Sequence, residues 1–215
     1  AVAPQSFTNP AFGPEGLKLL KSGLPAEQVL STLIEQDEGR DFRQVGIVDA
    51  QGNSASFTGK TCIPEAGNVT GKYYAIQANL MLKNSVWSAM EAAFLTTEGP
   101  LAERLVAALE AAENEGGDIR GKQSAALLVV AADPSGEVWK DREIDLRVED
   151  HPTPVKEIKR LLKVHRAYEH MNAGDLALEH GDEKAALDQY GAAEKLQPHN
   201  LEMKYWHAIS LLNIG

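Results

Sequence analysis

The sequence has 215 residues, 43% of them hydrophobic, and carries a formal net charge of -10 at pH 7. This length and composition predict a substantial core, arranged either as one domain with an appendage or as two small domains. The acidic charge argues against a nucleic-acid partner, because a phosphate-binding surface needs clustered Lys and Arg. The longest apolar stretches, such as residues 125–132, are far shorter than a membrane span, so no membrane partner is predicted.

The cysteine and histidine residues indicate which disulfides, catalytic thiols and metal sites the chain can form. Cys62 is the single cysteine, so no internal disulfide forms and a cytoplasmic location is favoured. Its thiol, next to Ile63 and Pro64, is interpreted as a small buried hydrophobic group in preference to a catalytic nucleophile. The histidines all lie at or after position 151 and show neither HxxxH nor HxH spacing. We therefore predict no metal site and no cofactor.

The first part of the chain changes from helical to strand-like periodicity. Residues 10–37 are predicted to form two short helices, because Gly23 ends one helical pattern and Pro25 starts the next. Alternating patterns then predict three strands, Gln44–Asp49, Ser54–Thr58 and Tyr73–Leu80. The first two are joined by a short turn at residues 50–53, which is typical of a β-hairpin.

The following segment repeats the order of helices and then strands. Helical spacing predicts helices over residues 84–96 and 100–114, the second of which ends at Gly116 and Gly117. The apolar run over residues 123–132 predicts a strand buried on both faces, paired with an alternating strand at Ile144–Val148. Tight turns between successive strands favour antiparallel sheets layered with helices, and the fold class is predicted to be α+β.

Polar side chains inside the predicted strands indicate a functional site. Arg43, Gln44, Gln77 and Asn79 lie among apolar neighbours, where a structural strand usually carries valine or threonine. Gln77 and Asn79 share one face of their strand, and their amides are suited to hold a substrate carbonyl or to donate to an oxyanion. The alternative is that both amides form internal hydrogen bonds to loop backbone.

Further candidates lie in loops. Arg120 is suited to clamp a substrate carboxylate through its planar fork, or to pair with Asp118 or Asp41 and pin the loop. Arg43 is the second choice for an anion clamp. Asn9 either lines a pocket or turns the chain into the first helix. The predicted substrate-binding residues are Asn9, Arg43, Gln77, Asn79, Asp118, Arg120, Gln123 and Ser124.

The chain after residue 154 is predicted to be all helical, with breaks at Gly181 and Pro198. Residues at about 167–200 have the spacing of one tetratricopeptide repeat, and residues 201–215 start a second. The residues that carry this pattern are Asn172, Gly174, Gly181, Ala186, Tyr190, Ala193 and Pro198, followed by Ala208, Leu211 and Gly215. A plain helical hairpin is the alternative. A lone repeat cannot bury its own face, so we expect a homo-oligomer or a protein partner at residues 155–215.

Residues 1–154 resemble a known family in several segments: SFTNPAFGPEGLKLL, GRDFRQVGIVDAQGNSASFTG, CIPEAG, YYAIQAN, EGPLAERLVAALEAAENEGGDIRGKQSAALLVV and DLRVEDHPTPVKEIKRLL. The resemblance is to the domain of unknown function 1028 family, which is grouped structurally with the N-terminal nucleophile (Ntn) hydrolases. It implies a four-layer αββα sandwich for residues 1–154. Some members of that family also carry a helical C-terminal extension, which agrees with the repeat pattern.

The resemblance also implies a reaction, the hydrolysis of an amide or related C–N bond in a small molecule. Enzymes with this fold use a Thr, Ser or Cys at the start of a strand as nucleophile, with its own α-amine as base. Ala1 offers no nucleophile, and members of the family that this chain resembles usually carry roughly forty or more residues ahead of the SFTNPAFG segment, so the catalytic residue is expected upstream of Ala1. An in-chain nucleophile, Ser6 or Ser124, is the less favoured alternative, since no GxSxG motif supports it. Another function class is a non-catalytic ligand-binding or scaffolding protein.

Overall fold

The computed structural model describes residues 1–214, and only the backbone of Ile214. The chain divides into two compact units, Ala1–Lys122 and Gln123–Gly215. The described residues form a mixed α+β structure with seven α-helices and seven short strands. The helices are α1 (Phe12–Lys21), α2 (Ala26–Glu35), α3 (Val86–Thr96), α4 (Leu101–Asn114), α5 (Pro154–Glu179), α6 (Glu183–Leu196) and α7 (Leu201–Ile214). The strands are β1 (Val2–Gln5), β2 (Gln44–Val48), β3 (Ser54–Thr58), β4 (Gly67–Gly71), β5 (Tyr74–Ala78), β6 (Ala125–Val130) and β7 (Arg142–Val148).

The first unit is built on an antiparallel sheet with the strand order β1-β2-β3. Because side chains alternate along a strand, Val45 and Ile47 of β2 point to one face, where they are buried against α2. Val29 and Leu33 of α2 complete this core together with Phe12 of α1. The alternation that predicted β2 is thus the pattern of a sheet whose apolar face is covered by helices.

The other face of this sheet is polar and lies against the β4–β5 hairpin. Gln44 and the hydroxyls of β3 point to this side. The hydroxyl of Ser54 donates to the carbonyl of Gly71, and Nδ2 of Asn68 donates to Oγ1 of Thr58 at 2.7 Å. Helix α3 contacts β4 and β5 and packs on α4. Hydrogen bonds donated by polar side chains therefore join the sheet to the hairpin.

Asp49 stabilises the turn between β2 and β3. Its carboxylate accepts hydrogen bonds from the backbone N–H of Asn53 at 2.8 Å, of Gln51 at 2.9 Å and of Ala26 at 3.2 Å. Burial favours the neutral form of the acid, but the bonds from Asn53, Ala26 and Gln51 outweigh this effect and lower the pKa of Asp49. The turn predicted at residues 50–53 is confirmed, and the same side chain caps the start of α2.

Several elements differ from the prediction. The helices of the first unit are confirmed, but β1 and β4 were not predicted. The third predicted strand, Tyr73–Leu80, is shortened to Tyr74–Ala78. It ends where it does because Tyr73 and Leu80 have positive φ angles, 72° and 60°, which no extended strand accommodates.

The second unit begins with the antiparallel pair β6–β7, as predicted. Leu127 and Ile144 are buried on the face that carries α5. The prediction that β6 is buried on both faces is wrong, because Leu128 and Val130 are 54% and 55% exposed. An unbroken apolar run predicts burial but does not reveal which face a neighbouring element covers.

Helices α5, α6 and α7 pack in succession along the chain. Tyr190 of α6 is only 1% exposed, and its ring lies against the backbone of Gly174 in α5. This contact is possible because glycine has no Cβ. Its hydroxyl donates to Asp175 at 2.6 Å, and burial and this bond raise the pKa of Tyr190 to about 12. Gly181, at φ 74°, lies in the turn between α5 and α6. Gly215, part of the predicted second repeat, lies outside the described residues.

Residues 1–214 contain neither a helix suited to span a membrane nor a cluster of metal-binding side chains. None of their helices combines the length and the apolar character needed to cross a membrane. Within the same residues, His, Cys, Asp and Glu do not gather in groups of three or more that are suited to hold a metal ion.

Candidate functional site

The candidate site is an open cavity of about 700 Å³ in the first unit. This volume is in the range of small-molecule sites. It lies at the ends of β1 and β5, with α3, α4 and the loop after α4 forming other walls. The polar side chains in its lining are Gln5, Ser6, Thr8, Gln77, Asn79, Asp118 and Arg120. Four of the eight predicted substrate-binding residues are thus brought together: Gln77, Asn79, Asp118 and Arg120.

The polar wall starts from Gln44, a fully buried side chain of β2. The two N–H groups of its Nε2 are shared among three acceptors, the carbonyl of Ala78 at 2.9 Å, that of Gly67 at 3.1 Å and Oγ1 of Thr58 at 2.9 Å. A backbone carbonyl can only accept, so the two carbonyls determine which end of the Gln44 amide is the donor. Oε1 of Gln44 must therefore face the other way, towards Asn79.

Asn79 connects the oriented amide of Gln44 to the cavity wall. Its Nδ2 donates to Oε1 of Gln44 at 3.0 Å and to Oε1 of Gln5 at 3.1 Å. With Nδ2 used in this way, Oδ1 of Asn79 accepts no hydrogen bond from the described residues, and neither does Nε2 of Gln5 donate one. Asn79 and Gln5 both line the cavity. The amide chain Gln44–Asn79–Gln5 thus leaves one acceptor and one donor for a ligand.

Gln77 joins the same wall from β5. Its Nε2 donates to the backbone carbonyl of Ala3 in β1. Its Oε1 is buried and has no hydrogen-bond partner among the described residues. This oxygen lies over Gly46 of β2, where the Cβ of any other residue would overlap it. Glycine at position 46 therefore makes room for the Gln77 amide between the sheet and the hairpin.

Asp118 and Arg120 reach the cavity because the loop after α4 pairs with the chain after β5. The N–H of Leu82 donates to the carbonyl of Gly117 at 2.9 Å, and that of Ile119 to the carbonyl of Leu80 at 2.9 Å. The loop turns at Gly116 and Gly117, whose φ angles of 116° and 63° favour glycine. Loop residues far from β5 in sequence are thereby held next to its end.

Arg120 is paired with Asp118, one of the alternatives considered for it. Its Nε donates to Oδ1 at 2.9 Å and its Nη2 to Oδ2 at 2.6 Å. These hydrogen bonds lower the pKa of Asp118 and raise that of Arg120. Both groups are therefore charged at neutral pH, and the guanidinium is held in one orientation.

The backbone at the cavity wall is strained. Ser6, Phe7 and Leu80 all line the cavity and all have positive φ angles, of 50°, 41° and 60°. Such angles cost about 1 kcal/mol or more for a residue with a side chain, and they concentrate at functional sites. The remaining wall is apolar and consists mainly of Ile63, Met81, Val86, Met90 and Leu109.

The other four predicted residues lie outside the cavity lining. Arg43 donates through Nε to Asp37 at 2.7 Å and through Nη1 to the carbonyl of Phe7, so its guanidinium ties two loops together. Oδ1 of Asn9 accepts from the N–H of Ala11 at 3.1 Å, in the turn before α1. Gln123 and Ser124 are exposed residues of the second unit, just before β6.

Sequence reasoning missed Gln5 as a site residue and noticed Gln44 without placing it in the site. The signal for Gln44 was present, since a glutamine next to Val45 in a buried strand needs a polar partner. Gln5 carried no such signal because β1 was not recognised as a strand. Cys62, half-buried, has its Sγ 3.4 Å from the carbonyl of Arg43 and is not part of the cavity lining.

Comparisons with known proteins place the chain in a family. A search of curated protein sequences finds no match. The crystal structure of a protein from Silicibacter pomeroyi, described with the family model DUF1028, is similar with a TM-score of 0.64 and 30% sequence identity. The match covers 75% of this chain and 70% of that one. The model of the family of unknown function DUF1028 matches residues 1–158. The chain therefore belongs to the family of unknown function DUF1028.

Proposed function

We propose that the cavity of the first unit binds a small molecule through an amide or carbonyl group. The observation that carries this proposal is the amide chain Gln44–Asn79–Gln5, which is oriented from the buried interior and leaves Oδ1 of Asn79 and Nε2 of Gln5 without partners in the described part of the chain. A free acceptor and a free donor on two hydrogen-bonded side chains of the cavity wall complement the N–H and C=O of an amide.

The proposed fold of residues 1–154 is a four-layer αββα sandwich of the Ntn-hydrolase type. The order of contacts supports it: α1 and α2 lie on the β1–β3 sheet, the β4–β5 hairpin lies on that sheet, and α3 lies on the hairpin. The proposed activity is hydrolysis of an amide or related C–N bond. Ser6 and Thr8 line the cavity, but none of its described lining residues is a His or Lys suited to activate them.

The role of Asn79 is tested by replacing it with alanine. The probe is N-acetyl-L-leucinamide, a neutral molecule with amide groups and an apolar side chain. We expect Asn79→Ala to raise its Kd about tenfold, because a neutral hydrogen bond contributes about 1 kcal/mol and Gln5 loses its orientation as well. Binding is measured by ligand-observed NMR or isothermal titration calorimetry, and circular dichroism verifies that the variant is folded.

Asn68→Ala is the matched control for this experiment. Asn68 also donates from the hairpin to the polar face of the sheet, at 2.7 Å to Oγ1 of Thr58, but it does not line the cavity. Its replacement should leave the Kd unchanged. If Asn79→Ala does not fold, Gln5→Ala takes its place, since Gln5 lies at the end of the amide chain. Equal affinity in the wild type and in both cavity variants would refute the proposed function, as would failure of the wild type to bind the probe.

The second candidate function is a non-catalytic scaffolding protein whose tetratricopeptide-like helices, within residues 155–215, mediate assembly. It is favoured by the large apolar side chains that α7 exposes, which are Leu201, Tyr205, Trp206, Leu211 and Leu212. The close contact of Gly174 with Tyr190 also fits a repeat, in which small residues let two helices approach. The proposed partner is a second copy of the chain, because an exposed apolar face is a common basis of self-association.

Light scattering tests this candidate directly. We expect a molar mass above the 23.3 kDa of one chain, and a shift towards that value when Leu212 is replaced by glutamate. The charge would have to be buried in the interface, which is costly without a partner. Thr96→Glu, an exposed change in α3 of the first unit, serves as the control. A wild-type protein that is monomeric at all concentrations would contradict self-association.

A further inference from the structure

The guanidinium of Arg120 has a free edge. Asp118 occupies the side formed by Nε and Nη2, with distances of 2.9 and 2.6 Å. A guanidinium carries five N–H donors, so the two on Nη1 and one on Nη2 remain. No acceptor among the described residues bonds to Nη1, and the side chain is 69% exposed in the wall of the cavity. This edge has the spacing that matches the two oxygens of a carboxylate.

Arg120 is also held ready for such a ligand. Oδ1 of Asp118 accepts both from Nε and from the backbone N–H of Arg120, the latter at 2.8 Å, so side chain and loop are fixed together. The pairing of Leu82 with Gly117 and of Ile119 with Leu80 anchors the loop to the end of β5. Because little conformational freedom is left to lose, less free energy is needed to order this side chain on binding.

Three chemically different surfaces thus border one cavity of about 700 Å³. The Arg120 edge suits a carboxylate, and the pair Asn79 and Gln5 suits an amide. The wall of Met81, Val86, Met90 and Leu109 suits an apolar group. We infer that the ligand is a carboxylate that also carries an amide and an apolar group, which is the chemical class of an N-acylated amino acid. This inference rests on the proposed amide site and specifies which molecules it recognises.

The inference is tested with two probes that differ at one terminal group. N-acetyl-L-leucine carries the carboxylate, and N-acetyl-L-leucinamide replaces it by a neutral amide. The wild-type protein should bind the carboxylate about tenfold more tightly, a modest factor because Asp118 partly offsets the charge of Arg120 and because the site is open to solvent. Arg120→Gln should remove this preference, by weakening the binding of the carboxylate about tenfold more than that of the neutral probe. Arg120→Lys, which keeps the charge but loses the fork, should give an intermediate preference.

Arg147→Gln is the matched control. Arg147 pairs with Asp145 two residues before it, as Arg120 does with Asp118, and is 62% exposed, but it belongs to the second unit. Its replacement should leave both dissociation constants unchanged. Addition of salt should weaken the carboxylate more than the neutral probe, since the distinguishing interaction is ionic.

The outcomes separate this inference from the proposed function. If the wild type binds both probes equally, or if Arg120→Gln keeps the preference for the carboxylate, the ligand class is wrong. Dependence of the neutral probe on Asn79 would then still support the amide site. If neither probe binds, both the amide site and the ligand class are refuted.

Discussion

Replacing Gly174 by alanine is expected to destabilise the α5–α6 packing by about 3 kcal/mol, the upper end of the usual cost of overpacking a core. The new Cβ would lie 2.6 Å from Cε1 and 2.8 Å from Cδ1 of the Tyr190 ring. That ring is 1% exposed and its hydroxyl is bonded to Asp175, so it has no room to move away. Glycine to alanine inside a helix normally stabilises by about 1 kcal/mol, so the predicted effect has the opposite sign.

The control is Gly191→Ala in α6. A Cβ at this position would meet only the His207 ring, with the nearest atom at 3.5 Å, which is an ordinary contact. Gly191→Ala should therefore be neutral or stabilising. Urea denaturation followed by circular dichroism at 222 nm measures both variants. A Gly174→Ala protein that is as stable as the wild type would show that the helices do not approach as closely as described.

Replacing Gln44 by leucine is expected to destabilise the first unit by roughly 3 kcal/mol, since it removes several buried hydrogen bonds from a fully enclosed side chain. Leucine has a similar size, so the loss comes from polarity and not from a cavity. Nδ2 of Asn79 loses the acceptor at 3.0 Å that sets its orientation. We therefore expect weaker binding of N-acetyl-L-leucinamide as well, even though Gln44 is not part of the cavity lining.

Gln28→Leu provides the comparison for this prediction. Gln28 is an exposed residue of α2, so the same chemical change there should alter the stability by less than about 0.5 kcal/mol. Thermal unfolding and the Kd of the probe are measured for both variants. If Gln44→Leu lost stability but bound the probe with unchanged affinity, Asn79 would be oriented without Gln44, and the amide chain would not be the reason for its position.

The strands that the sequence predicted are those with a local signal. Val45 and Ile47 alternate with other residues, and a turn held by Asp49 follows, so β2 and β3 could be recognised from the chain alone. By contrast, β1 is a four-residue strand that contains a proline and pairs with β2, whose paired residues are 39 to 45 positions away. Glycines stand at both ends of β4, whose strand form depends on its pairing with β5. Their pairing partners, and not their own propensities, make these segments strands.

The candidate site shows the same division. Gln77 and Asn79 were predicted because amides in a strand are unusual, and both line the cavity. Arg43 carried an equally strong signal, yet its guanidinium is bonded to Asp37 and the carbonyl of Phe7. The sequence around an arginine does not show whether its guanidinium is free to bind a ligand or is paired within the protein. In both cases the arginine stands among apolar neighbours in the sequence.

The sequence by itself determined the α+β class, most helix boundaries, the family and the amide residues Gln77 and Asn79, in β5 and directly after it. These features follow from hydrophobic periodicity, from turn residues and from short segments that resemble the family. All of these are local properties of the sequence. The tertiary structure alone decided that Gln44 orients Asn79, that Gln5 completes the amide chain, and that Asp118 and Arg120 reach the same cavity. Each of these depends on hydrogen bonds between residues about 35 or more positions apart, which form only when the sheet, the hairpin and the loop after α4 come together.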